Sequence, residues 1–270
     1  MNILVVAAHP DDELLGVGGT VASHILKGDR VKVAVMCEGI SARYSLEGLY
    51  EVRREGSDDP GVFDVANISV AALRTRRGYA EGRATTSGIM PRQYVPERLD
   101  QVKKETHRAA RILGVTDLVF GDLPDQRLET LTLSDVAKKV ERLVSDFEPE
   151  LVYTHFGGDI NRDHRVLAEA VLVAVRPYAA PTVKEVLMFE TPSSTEWGSP
   201  SLTASFQPTV FVDISECLAA KIEAFRCYSA EVRQYPHPRS PEALADRAHY
   251  WGSLVNRRAA EAFVVVRSTR

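Results

Sequence analysis

A chain of 270 residues, 44% hydrophobic and 26% charged, can bury a large core, and its length fits one domain. A formal charge of −4 supplies no electrostatic footprint for nucleic acid, and the basic runs Arg53-Arg54 and 74–77 lie in a poorly patterned region. Cys37, Cys217 and Cys227 lack C-x-x-C spacing, which argues against a thiolate zinc site or a redox pair and for packing roles in a reducing cytoplasm.

The first apolar run, residues 3–8, is too short to span a membrane and follows no basic segment. It reads as a buried parallel strand. It ends on His9-Pro10-Asp11-Asp12-Glu13, placing an imidazole and three carboxylates at a carboxyl edge, where open α/β sheets hold their sites. Pro10 fixes its own φ and disfavours helix at His9, so the cluster sits on a stiff turn. His9 with Asp12 three residues on offers one nitrogen and one oxygen ligand to a borderline metal such as zinc, and a further carboxylate beside them can act as a base. The same acids would also favour the positive end of a following helix. Gly16, Gly18 and Gly19 read as a tight turn into a helix over 17–27, which stops at Gly28-Asp29 before a strand over 31–36: a βαβ unit.

From 38 to 95 apolar periodicity is weak and Gly, Ser, Thr and Arg dominate, so this long connection reads as a lid or a disordered segment. Patterning resumes with a helix from Pro96 to Gly114, a short strand at 118–120, a helix over 133–147 capped by Thr132 or Ser134, and a strand over 151–154. That strand opens on His155-Phe156-Gly157-Gly158-Asp159-Ile160-Asn161-Arg162-Asp163-His164, a second polar strand end. His164 begins a helical pattern with its ring toward the sheet edge. Together with Asp163 and His9-x-x-Asp12 it makes a two-histidine, one-carboxylate set with an open position, the arrangement of a catalytic metal site. Strands at 186–189, 210–212 and 262–266 and a helix over 216–228 complete an α/β domain spanning 1–270. His237, between two prolines, is either a surface-turn or a pocket histidine, while His24, His107 and His249 read as packing or surface residues.

His9-Pro10-Asp11-Asp12-Glu13 after an N-terminal strand, with Asn161-Arg162-Asp163-His164-Arg165 far downstream, resembles the PIG-L or LmbE-like family of metal-dependent N-deacetylases. The resemblance runs over most of the chain. Ser193-Ser194-Thr195-Glu196-Trp197 and Pro236-His237-Pro238-Arg239-Ser240 are similar to a branch associated with bacterial glycan or surface-polysaccharide pathways. It implies a Rossmann-like, mostly parallel sheet with helices on both faces, zinc or a related divalent ion, and removal of acetate from an N-acetylglucosamine-type sugar or its conjugate. Carried over to this chain, His9, Asp12 and His164 would hold the metal and Asp11 would be the general base. Asp163 would orient His164, and Glu13 would steady the loop.

Two positions depart from the family pattern. Asn161 stands where several branches have a histidine, and an amide can donate a hydrogen bond but cannot shuttle a proton. Lys104-Glu105 stands where an Arg-Glu pair is common. Without a histidine at 161, the leaving amine would take its proton from Asp11, from His155 or, next, from His237. The implied partner is a small N-acetylated sugar or glycoconjugate, with no nucleic acid and no membrane span, and with assembly into a homo-oligomer left open. An amidase of another N-acyl conjugate is the rival within enzymes. A nucleotide-binding protein that cradles phosphate on 16–19 is the rival outside them, although the run lacks both G-x-G-x-x-G and a phosphate-loop lysine.

Overall fold

The computed structural model describes residues 1–39 and 95–269. The expected lid therefore falls almost entirely outside the described residues. Strand β1 (Asn2–Ala7) leads into helix α1 (Asp12–Leu26) and β2 (Arg30–Cys37). Then come α2 (Val95–Leu113), β3 (Asp117–Leu123), a short 3-10 turn at Leu128–Thr130, α3 (Leu133–Phe147) and β4 (Leu151–His155). The remainder is α4 (Arg162–Ala174), β5 (Glu185–Phe189), a 3-10 turn at Thr195–Trp197, β6 (Val210–Asp213), α5 (Leu218–Phe225), α6 (Pro241–Leu254) and β7 (Ala260–Ser268).

The seven strands form one sheet in the order β3-β2-β1-β4-β5-β7-β6. The first five run parallel, and β7 pairs antiparallel with both β5 and β6. Alternation along β1 explains its central place. Ile3, Val5 and Ala7 enter the core that α1, α2, α5 and α6 cover, whereas Leu4, Val6 and Ala8 enter the core beneath α3 and α4. Both faces are apolar, so only an interior parallel position buries the strand fully. The strand order reverses direction between β1 and β4, and at such a switch point the two strand ends diverge into a crevice. Among the described residues no helix is long and apolar enough to cross a membrane.

Helix α1 begins five residues earlier than the glycine run suggests. Gly16, Gly18 and Gly19 lie inside it, and they serve close approach rather than a turn. A Cβ at Gly16 would run into the Phe189 ring, and one at Gly19 would come within 2.7 Å of Ile214. Elsewhere the expected elements hold, with Thr132 capping α3 by accepting from the Asp135 N–H.

Candidate metal centre

The loop after β1 turns through Asp11, which adopts φ 116° as the residue before α1. A non-glycine residue there stores strain of about 1–3 kcal/mol, which surrounding contacts must offset. Those contacts are present: Arg239 Nη1 donates to Asp11 Oδ2 at 2.9 Å, and the Asp11 N–H donates to Glu13 Oε2 at 3.0 Å. Glu13 in turn accepts from Tyr228 OH at 2.5 Å. Burial pushes the Glu13 carboxyl up to about 7, against the pull of these hydrogen bonds.

One turn of chain converges with another at this point. His9 Nδ1, Asp12 Oδ2 and His164 Nε2 form a triangle with edges of 3.0, 3.2 and 3.2 Å. Ligand atoms bound at about 2.0–2.2 Å to one ion lie about 3.0–3.4 Å apart, so the triangle has the size of one face of a metal's coordination shell. Asp12 Oδ1 is buried and has no hydrogen-bond partner among the described residues, which is costly for a carboxylate unless a cation completes it. The donor set therefore fits a divalent ion with nitrogen affinity such as zinc. Burial acts to raise the Asp12 carboxyl, but the imidazoles of His164 and His155 and hydrogen bonds from His164 and His9 hold it well below the usual range. Asp11, beside it, moves the other way: burial lifts it well above the ordinary carboxylate range, and the Arg239 charge only partly opposes this.

Each imidazole of the triangle has a carboxylate behind it. His9 Nε2 lies 3.0 Å from Asp163 Oδ2 and 3.2 Å from Asp125 Oδ1, which turns Nδ1 toward the triangle. Asp163 is itself held by the N–H groups of Gln126 (2.6 Å) and Leu128 (3.0 Å) beyond β3. His164 Nδ1 lies 3.3 Å from Asp159 Oδ1. Asp159 accepts hydrogen bonds from Ser194 Oγ and, at 2.5 Å, from Thr195 Oγ1.

This division corrects the expectation that Asp163 orients His164. Neighbours on a helix point about 100° apart, so Asp163 reaches across to His9, and the residue that faces His164 lies five positions earlier. Asp159 was not singled out from the sequence; its signal was its place between a polar strand end and a helix cap. Arg239 lies two residues after His237, and the prolines flanking that histidine are the local sign of a loop held toward the site.

His155 is fully buried beside the triangle. Its Nε2 accepts from the Ala8 N–H at 2.8 Å, and its Nδ1 meets Thr191 Oγ1 at 3.1 Å. Both nitrogens of this fully buried ring are thus engaged, and burial together with the nearby His164 drives its pKa well below normal, which favours the neutral ring. Its ring instead stacks on that of His164, with centroids 3.9 Å apart. Asn161 Oδ1 accepts from the Asp163 N–H at 2.9 Å, making this amide the cap of α4. His237 is half-buried: its Nδ1 accepts from the Arg239 N–H at 3.0 Å and its ring meets Trp197. The phosphate-cradle reading of 16–19 fails, because the N–H groups of Gly19 and Thr20 are bonded to the Glu261 carboxylate.

Residues 4–175 match the model of the PIG-L family, described as GlcNAc-PI de-N-acetylase. The 1D-myo-inositol 2-acetamido-2-deoxy-alpha-D-glucopyranoside deacetylase 1 of Saccharopolyspora erythraea is 28% identical, over 87% of this chain and 78% of that one. In fold the chain is similar to the N,N'-diacetylchitobiose deacetylase of Pyrococcus horikoshii, with a TM-score of 0.64 and 17% identity over 98% of this chain and 84% of that one. It is equally similar to GalB, the 4-carboxy-2-hydroxymuconate hydratase of Pseudomonas putida KT2440, with a TM-score of 0.63 and 20% identity over 100% and 98%. One architecture thus carries a deacetylase and a hydratase, so the reaction must be argued from side chains.

Proposed function

Because this chain belongs to the PIG-L family, the GlcNAc-PI de-N-acetylases, we propose that it is a divalent-metal-dependent hydrolase, served by zinc, that removes acetate from an N-acetylglucosamine-type sugar or its conjugate. The observation that carries this reading is the His9–Asp12–His164 triangle, with an undersatisfied carboxylate, next to a second carboxylate of raised proton affinity. A bound divalent ion would polarise the acetamido carbonyl and bring the pKa of water down toward about 7.

The chain's own residues do the rest. Asp11 takes the proton of the attacking water, and its raised pKa suits a group that must give that proton up again near neutral pH. Arg239 fixes the Asp11 carboxylate through Nη1 while Nε is anchored on Ser193 Oγ at 2.6 Å and Nη1 also reaches Glu231 at 2.9 Å. With Asn161 turned to helix capping and His155 committed on both nitrogens, Asp11 returns the proton to the leaving amine. Asp163 and Asp159 keep the two imidazoles aimed. The three cysteines are unpaired, which supports the cytoplasm as the place of work.

The test is a panel of N-acetylated sugars and glycosides assayed for released acetate, using chelator-stripped protein with and without added zinc. Acetate release that depends on the metal is expected. Protein that binds one zinc per chain and releases acetate from no member of the panel would overturn the reading.

A further inference from the structure

Ser193-Ser194-Thr195-Glu196 follows β5 and runs into the second 3-10 turn. Three successive hydroxyls leave it toward the candidate centre. Ser193 Oγ accepts from Arg239 Nε at 2.6 Å, and Arg239 Nη1 donates to Asp11. Ser194 Oγ and Thr195 Oγ1 donate to Asp159, the carboxylate that faces Nδ1 of His164. One tetrapeptide therefore stands behind the base through a guanidinium and behind a metal ligand through a carboxylate. It can serve both at once only while its backbone is held in one conformation.

Glu196 holds that backbone. Its Oε1 accepts from the Ser193 N–H at 2.8 Å and its Oε2 from the Ser194 N–H at 3.2 Å. The two oxygens of one carboxylate thus grip the two residues at which the arms part, and bonds of this charge-assisted kind are the stronger ones. Ser193 depends on such a grip: its φ of 70° is left-handed, which a residue with a Cβ keeps only where its surroundings impose it. Arg247 braces the carboxylate from behind, with Nη2 3.5 Å from Oε1, while its Nη1 donates to Glu190 at 2.6 Å. Among the described residues the hydrogen bonds of Glu196 end on this loop, so its influence on the centre passes through Ser193 and Ser194.

We propose that Glu196 is a positioning residue that couples the two halves of the centre: by holding Ser193 and Ser194 it keeps Arg239 on Asp11 and Asp159 on His164 together. The arm to Asp11 rests on the deacetylase reading above. The arm to His164 requires only that the triangle binds a metal.

The Glu196 side chain is 24% exposed, so its truncation opens no core cavity. Glu196→Ala should weaken zinc about tenfold in chelator competition. In acetate assays at saturating zinc it should also lower kcat about tenfold with KM unchanged. Glu196→Gln keeps the shape and one acceptor; it should lose less on both quantities, and it decides the matter if the alanine variant does not fold. Double-mutant cycles read the route. In an Asp159→Ala background Glu196→Ala should cost no further zinc affinity, and in an Arg239→Ala background no further kcat, because each arm is already cut. Ordinary zinc affinity and kcat in folded Glu196→Ala protein overturn the proposal, whatever happens to its unfolding stability. Loss of one quantity alone, or additive losses in the cycles, overturns it too. If the unaltered enzyme releases no acetate, the deacetylase reading fails by itself and the zinc cycle decides: a non-additive loss keeps Glu196 behind His164, and an additive or absent loss removes it.

Discussion

Helix α1 touches two buried charge clusters, and they are built on opposite principles. At its start, Asp12 converges with two histidines, leaving one oxygen without a partner and two ring nitrogens 3.2 Å from each other. Two turns later, Lys221 and Glu261 form a buried pair at 2.6 Å in which the donors and acceptors are matched. Glu261 accepts from the Gly19 and Thr20 N–H groups at 2.9 and 2.7 Å, and Lys221 donates to Leu15 O at 3.0 Å. The second cluster is complete within the protein and ties α1 to α5 and β7. The first is complete only with something added. Saturation of the charged groups, more than burial, is what separates these two clusters.

The contrast breaks most sharply at His164. His164→Ala should abolish both zinc retention and turnover, read by metal analysis beside an acetate assay; a variant that keeps one zinc per chain would remove His164 from the ligand set. Asp11→Asn should do the converse, retaining zinc while kcat falls about 10²- to 10⁴-fold. Near-normal turnover in that variant would end the general-base assignment.

At the saturated cluster the effect should fall on stability alone. Lys221→Met leaves Glu261 buried without its cation and should cost about 3–5 kcal/mol in denaturant unfolding. Zinc stoichiometry in the folded protein should not change, and a selective loss of zinc would mean that the two clusters are coupled. Between these extremes lie the groups behind the ligands. Asp159→Asn and Asp163→Asn should each weaken zinc binding about 10- to 100-fold, measured by chelator competition, because each aims a different imidazole. An effect of Asp163→Asn alone would return the orienting role to that residue.

The smallest expected effect is a pH dependence. Burial raises the Glu13 carboxyl to about 7 in the fold, from an ordinary value of 4.5. The folded state therefore holds this proton more tightly than the unfolded chain does. The resulting stabilisation is full below about pH 4.5 and is lost as pH rises through about 7, a change of about 1–3 kcal/mol. In metal-free protein, Glu13→Gln should flatten the decline in unfolding free energy across that interval. An unaltered slope would show that Glu13 does not titrate there.

Much of this site was legible in order along the chain, because local chemistry writes itself locally. An apolar hexapeptide ending in His9-Pro10-Asp11-Asp12-Glu13 reads as a buried strand delivering candidate ligands to an edge, and His164 in the first turn of a helix faces the same edge. Thr132 as the cap of α3 and the alternation of strands and helices follow from the same short-range rules. What stayed hidden depends on which side chains meet across the sheet. The glycines of α1 are spaced for Phe189 and Ile214, residues about 170 and 195 positions away, so their role as contact surfaces had no local sign. Asp163 serves His9 and Asp159 serves His164 because helix geometry turns neighbours apart and the β3 and β5 loops supply the remaining partners. Residue types thus set which atoms could bind a metal. Only tertiary packing decided how each was aimed, since a hydrogen bond reaches about 3 Å in space and has no fixed length along the chain.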